Sequence, residues 1–182
     1  MDVTVGTNIR ALRKSRGMTL EGVAEELGCS VGWLSQVERG KSEPQREDIH
    51  AISDVLGCSV SLLLGNAPGP KIEQGYVVRA KDRTPVKSRP GLAEELLSPD
   101  LSDEFEVVRS VFAPGSSLGE VHARPTQEIG YLVSGRLTMT IAGRRFELEP
   151  GDSFRIRGDA FEWENPHDEP AVAIWVIAPP IY

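Results

Sequence analysis

The stretch Thr19–Gly40, TLEGVAEELGCSVGWLSQVERG, carries the strongest local signal in the chain. Leu20, Val23, Ala24 and Leu27 recur at helical spacing, Gly28 stops that helix, and Ser30 is placed to cap a second one from Val31 to about Arg39. Leu34 and Val37 supply the inner face of the second helix, which leaves Val31, Gly32, Trp33, Gln36 and Arg39 directed elsewhere. Helix, short turn and helix is the arrangement in which a first helix crosses the DNA backbone and a second enters the major groove. Periodicity alone describes a helical hairpin in a core equally well.

Upstream, Ile9 and Leu12 set a helical stripe over Val5–Ser15, and basic residues crowd its C-terminal end, where cations suit the helix dipole. Gly17 ends that helix. Beyond Gly40, Lys41–Pro44 forms a loop, Ile49, Ile52, Val55 and Leu56 mark a fourth helix closed by Gly57, and Ser59 caps a last short helix through Leu64. Five helices within residues 1–65 complete a small bundle.

The wording GCSVGWLSQVERGKSEP resembles the five-helix, lambda-repressor-like DNA-binding domain of the phage-repressor-like (XRE-type) regulators. The resemblance implies an all-α head that binds a double-stranded DNA operator through Val31, Gly32, Trp33, Gln36, Arg39 and Lys41. Gln36 can pair bidentately with adenine, whereas Arg39 is read as a phosphate contact. Trp33 either packs on a thymine methyl or sugar or belongs to the core. A local pair between Glu38 and Arg39 is the competing use of that arginine. Arg10, Arg13, Lys14 and Arg16, with Arg39 and Lys41, cluster where phosphates would be met.

Gly65, Asn66, Pro68, Gly69 and Pro70 cannot extend a helix, so residues 66–75 are read as a linker and 76–182 as a second domain with its core motifs in 107–182. Tyr76–Pro90 suggests an edge strand plus a loop, with further strands near Leu96 and over Phe105–Phe112. From Val107 onward, EVVRSVFAPG, EVHARP, EIGYLVSG, RLTMTIAG, RRFELEPG, DSFRIRGD, FEWENP and PAVAIWVIAP are short β-rich segments punctuated by Gly, Pro and Asp, the pattern of an all-β sandwich or barrel.

In HARPTQEIGYLVSG, His122, Glu128 and Gly135 resemble the first motif of the cupin superfamily, with Arg124 where a second His belongs. In GDSFRIRGDAFEWEN, Gly151, Asp152, Gly158 and Asn165 resemble the second motif, with Phe161 at its His position. His167 falls beyond that motif, in the turn before the last strand. Together the halves resemble bacterial regulators that join a repressor-type helix-turn-helix to a C-terminal cupin sensor, which implies a jelly-roll barrel, a dimeric transcription factor and a small-molecule effector.

A complete cupin metal site uses three His and one Glu. Here Arg124 cannot coordinate and Phe161 has no donor atom, so no metal and no other cofactor is expected. Arg124 and Glu128 instead form an inward charge pair at the barrel mouth, beside His122 as a hydrogen-bonding group, with Phe161 and Trp163 as apolar lining. A structural polar network that satisfies only its own members is the alternative. Strand alternation sends Glu162 and Glu164 to the opposite face from Phe161 and Trp163. Opposite charges in the cavity point to an amino acid, a polyamine or a derivative as ligand, with a neutral sugar as the alternative.

The formal charge of −7, from 20 Lys and Arg against 27 Asp and Glu, argues against a nonspecific nucleic-acid coat and against a membrane-surface protein. No run of about 18 apolar residues exists, and MDVTVGTNIRALRKSRG lacks the apolar stretch of a signal peptide, so a cytoplasmic protein is expected. Cys29 and Cys58 occupy equivalent Gly-Cys-Ser contexts and read as small buried hydrophobes. The expected protein is a homodimeric, sequence-specific regulator, a repressor, and not an enzyme. A metal-dependent cupin oxygenase or epoxidase with an attached helix-turn-helix is the runner-up, and a cupin isomerase or binding module with a vestigial head is the third reading.

Overall fold

The computed structural model describes residues 5–65, 70, 72–73, 75–99, 101 and 103–181. The expected linker therefore lies partly outside the described residues, at 66–69, 71 and 74. The chain divides into two compact units, the first ending at Val86 and the second beginning at Lys87, with Ser98–Asp103 grouped with the first.

The helical unit holds α1 (Val5–Ser15), α2 (Leu20–Leu27), α3 (Val31–Glu38), α4 (Arg46–Leu56) and α5 (Val60–Leu64). Its core is formed by Ile9, Leu12, Val23, Leu34, Val37, Ile52, Leu56 and Leu63, the residues the helical stripes single out. At Gly6, α1 comes backbone to backbone against α3: a Cβ there would stand 1.9 Å from the Val37 carbonyl oxygen, so only glycine allows this approach. Asn8, also buried, donates from Nδ2 to the Leu63 carbonyl of α5 at 3.1 Å. Cys29 and Cys58 are free thiols and only partly buried, because each lies at the exposed entry to a short helix instead of on an inner stripe.

The second unit is two antiparallel sheets. Its strands are β1 (Pro85–Arg89), β2 (Leu92–Leu96), β3 (Glu106–Phe112), β4 (Ser116–Ser117), β5 (Gln127–Ser134), β6 (Leu137–Ile141), β7 (Arg144–Leu148), β8 (Ser153–Arg157), β9 (Phe161–Asn165) and β10 (Ala171–Ala178). One sheet runs β1-β2-β3-β10-β5-β8 and the other β4-β9-β6-β7. Their inward residues make one core, in which Phe112 meets Trp163 edge-on at 4.7 Å and Phe154 meets Trp175 edge-on at 4.9 Å. This is the jelly-roll barrel that the motifs imply.

Two local expectations change. The segment from Tyr76 makes a 3-10 turn at Ala80–Asp82, and the edge strand starts only at Pro85, whose missing N–H is tolerated at the first residue of an outer strand. EVHARP makes no strand. Gly119, at φ 77°, turns the chain just before it and Pro125 ends it, leaving a single bridge in which His122 and Phe161 exchange backbone hydrogen bonds of 2.8 and 2.7 Å.

Candidate functional site

In the helical unit the site is α3 and the turn that aims it. Thr19 Oγ1 accepts from Gly22 N at 3.0 Å to start α2, Gly28 ends it at φ 65°, and Ser30 Oγ accepts from Trp33 N at 3.1 Å to start α3. Leu34 and Val37 turn into the core. Val31, Gly32, Gln36, Arg39 and Lys41 are exposed, and Trp33 is half-buried. Arg39 follows α3 as its C-cap and donates from Nη1 to Ser35 Oγ one turn back.

Glu38 does not pair with Arg39. It lies buried at the foot of α3 and receives Arg13 of α1 in a two-pronged contact, Nε to Oε1 at 2.6 Å and Nη2 to Oε2 at 2.9 Å, while Arg13 Nη1 donates to the Met18 carbonyl at 3.0 Å. The hydrogen bond to Glu38 drives the Arg13 pKa upward from its ordinary value, with burial acting against it. Arg13 is thus removed from the cluster expected to meet phosphates. Arg16, another member, reaches toward the Gly57 carbonyl.

Sequence reasoning misses the Arg13–Glu38 pair, although a signal exists. Glu38 stands four residues after Leu34 and Arg13 four after Ile9, so each falls on a stripe whose other members are buried. A charged residue at such a position calls for a partner of opposite sign.

In the β unit, Glu128 points inward from β5 with its side chain sealed from solvent. Arg124, in the loop before β5, approaches it with Nε 3.3 Å from Oε1 and Nη2 3.4 Å from Oε2, and Thr126 donates to Oε1 at 2.6 Å. The Arg124 guanidinium also stands 5.3 Å from the centre of the Phe161 ring, within range of a cation–π contact. Arg124, Glu128 and Phe161 are therefore brought together. His122 joins them through its backbone bridge to Phe161, but its Nε2 lies 3.0 Å from Glu120 Oε1 at the surface. Trp163 packs deeper, against Phe112 and across from Met139, and belongs to the core instead of the mouth. An open depression of about 560 Å³ lies nearby, lined by Pro125, Thr126, Gln127, Arg157, Gly158, Ala178 and Pro179. Thr126 connects it to the Glu128 carboxylate.

The donor set does not fit the metal that the cupin fold implies. The Arg124 guanidinium already holds the Glu128 carboxylate with a fixed positive charge, Phe161 offers no donor, and no three His, Cys, Asp or Glu side chains gather as a metal-holding group among the described residues. Asn165, which matches the second motif, acts structurally. Its Nδ2 donates to the Phe112 and Glu169 carbonyls at 3.1 and 2.8 Å, and its Oδ1 accepts from His167 N at 3.2 Å. Among the described residues no helix is long and apolar enough to cross a membrane.

Comparison with known proteins agrees with this geometry. Residues 4–64 match the helix-turn-helix domain family and residues 108–177 the cupin domain family. The chain is 24% identical over 152 residues to the HTH-type transcriptional regulator PuuR of Escherichia coli, covering 83% of this chain and 81% of that protein. Over 76 residues it is 37% identical to the transcriptional regulator ClgR of Mycobacterium tuberculosis, covering 42% of this chain and 68% of that one. A solved RmlC-like cupin from Shewanella frigidimarina aligns over 63% of this chain and 94% of its own at 20% identity, with a TM-score of 0.51, a likeness of fold.

Proposed function

Because this chain belongs to the XRE-type helix-turn-helix transcriptional regulators and joins to that head a cupin domain, we propose that it is a cytoplasmic, homodimeric repressor whose barrel takes up a small metabolite and thereby changes its hold on an operator. The outward face of α3 carries the DNA-binding half of this reading. Val31, Gly32 and Gln36 are exposed along a helix whose other side is locked to the core by Leu34, Val37 and Glu38, and Arg39 and Lys41 follow at its end. A two-fold dimer matches two half-sites about one helical turn apart or a multiple of it.

The sensing half rests on the Arg124–Glu128 pair. Glu128 is sealed behind Arg124 and Thr126, whereas the Arg124 side chain keeps 31% of its surface, so the group a ligand meets first is the guanidinium. A carboxylate binds there directly, and an ammonium reaches Glu128 only by displacing Arg124. An amino acid, polyamine or derivative uses one or both routes. No turnover is assigned, since the metal chemistry of the oxygenase alternative lacks its ligands here.

Footprinting tests the head, and a thermal-shift screen of amines, amino acids and sugars tests the barrel. Protection of paired, symmetric half-sites is expected, together with a Glu128→Gln variant that keeps operator affinity and loses effector response. A single unpaired half-site at saturation, or an unaltered effector response in Glu128→Gln, contradicts the respective half.

A further inference from the structure

Gln127, Arg157 and Ala178 form one row on the outer face of the six-stranded sheet, because Gln127 pairs with Arg157 on one side and with Ala178 on the other. Side chains alternate across a strand, so Gln127 faces outward where its neighbour Glu128 faces into the barrel. This row floors the open depression of about 560 Å³, whose remaining walls are Pro125, Thr126, Gly158 and Pro179. Its frame is tied by the protein itself: Gly158 N donates to the Thr126 carbonyl at 3.0 Å, and Arg157 N to Asp159 Oδ2 at 3.1 Å. Thr126 turns its hydroxyl the other way, onto Glu128. A pre-formed recess of this size suits a small molecule.

The positive charge in this recess is unspent. Arg157 is exposed, and its guanidinium has no ion pair or hydrogen-bond partner among the described residues. Arg155, also exposed, repeats that situation one row further along the same face of edge strand β8, about 6.7 Å away. Its row continues through Ile129, Val176 and Val107, so neither row brings a carboxylate to either arginine. Asp159, two residues beyond Arg157, commits Oδ2 to the Arg157 amide. In a chain of formal charge −7, two adjacent arginines with no acid across from them are a local exception.

We propose that this recess binds a small phosphate monoester, outside the barrel and separate from the Arg124–Glu128 pair. Each guanidinium offers a planar fork of donors, and a terminal phosphate is close to a dianion at neutral pH, with three oxygens to share between two forks. A carboxylate carries one charge and two oxygens, which a single arginine already satisfies. The rest of the lining places the organic body. Pro125, Pro179 and Ala178 carry no polar side-chain group and give an apolar shelf, and the Gln127 amide, between that shelf and the arginines, both donates and accepts.

Isothermal titration of the full chain with phenyl phosphate, inorganic phosphate and benzoate, together with amide chemical shifts, tests the site. Phenyl phosphate is expected to saturate at one per chain and to move the amides of Gln127, Arg157, Gly158 and Ala178. It should bind more tightly than inorganic phosphate, which lacks the body, and than benzoate, which lacks the second charge. Arg157→Gln should raise its dissociation constant about tenfold or more and Arg155→Gln about threefold or more, at an unchanged melting temperature. Arg157→Lys, which keeps the charge and loses the fork, should recover only part of the loss. Equal affinity for all three anions describes a bare cationic surface and overturns the proposal. So does an affinity that Arg157→Gln leaves unchanged, a set of shifts confined to Arg124 and Glu128, or no binding of phenyl phosphate at millimolar concentration.

Discussion

Arg13 of α1 and Glu38 of α3 are joined by two hydrogen bonds of 2.6 and 2.9 Å, with only 12% and 5% of their side-chain surfaces accessible. The pair ties the second helix of the helix-turn-helix to α1 by a fork of fixed geometry. Removing one member leaves the other as an uncompensated charge in a largely buried site.

Glu38→Ala is accordingly expected to cost the helical unit about 3 to 5 kcal/mol. Arg13→Ala/Glu38→Ala should cost less than the sum of the single changes. Denaturant unfolding followed by far-ultraviolet circular dichroism measures both, and additive losses would show that the two residues act independently.

On DNA, Gln36→Ala should relax base preference at one operator position by about 1 to 3 kcal/mol. Arg39→Ala should weaken all sequences alike and lower the salt slope by about one unit. Titrations of matched and mismatched duplexes at several salt concentrations separate the two. Equal losses on every sequence for Gln36→Ala would remove it as a base reader.

Protein purified without added metal should carry far less than one equivalent of iron, zinc or nickel, and chelator should leave melting temperature and operator affinity unchanged. The grounds are the guanidinium at Glu128 and the missing donor at Phe161. Stoichiometric metal needed for an activity would restore the oxygenase alternative.

Asn165→Ala should destabilise the barrel by about 2 to 4 kcal/mol, since it strands two carbonyls and one N–H that Asn165 now satisfies. Thermal unfolding of the full chain, followed through Trp163 and Trp175, reports it. A loss below about 0.5 kcal/mol, the range of a surface change, would show that water replaces the amide.

Burial raises the Cys58 thiol above its ordinary value of 9.0 and shifts Cys29 in the same direction. The folded state thus retains a proton that the unfolded state releases. Stability from this source is complete below pH 9 and is lost as pH rises through the folded value. Alkylation by iodoacetamide at neutral pH should be slower in the native protein than in denaturant, and equal rates would place the thiol in water.

The helices and most strands are legible in the sequence because their signals are local. Gly28 and Gly57 end helices, Ser30 and Ser59 begin them, and alternation in FEWEN separates Phe161 and Trp163 from Glu162 and Glu164. What the sequence leaves open depends on distant partners. Arg13 meets Glu38 across 25 positions, so an arginine that looks like a phosphate contact is instead an internal strut. Trp163 shares a face with Phe161 yet lies two residues farther along β9, and that step carries it from the mouth into contact with Phe112. The Arg124–Glu128 pair is legible because both residues sit in one short motif, four positions apart.

Gly6 bears on control. With a hydrogen where other residues carry Cβ, it lets the backbone of α1 rest directly on the backbone of α3 at Val37. At that point peptide rests against peptide with no rotamers to exchange, and the Arg13–Glu38 fork holds the same two helices together. Each head behaves as a stamp with a fixed relief. On the dimeric, metabolite-sensing reading proposed above, a bound metabolite would have little purchase on the relief itself and would act on the distance and angle between two stamps, which makes regulation a matter of spacing against the pitch of the double helix.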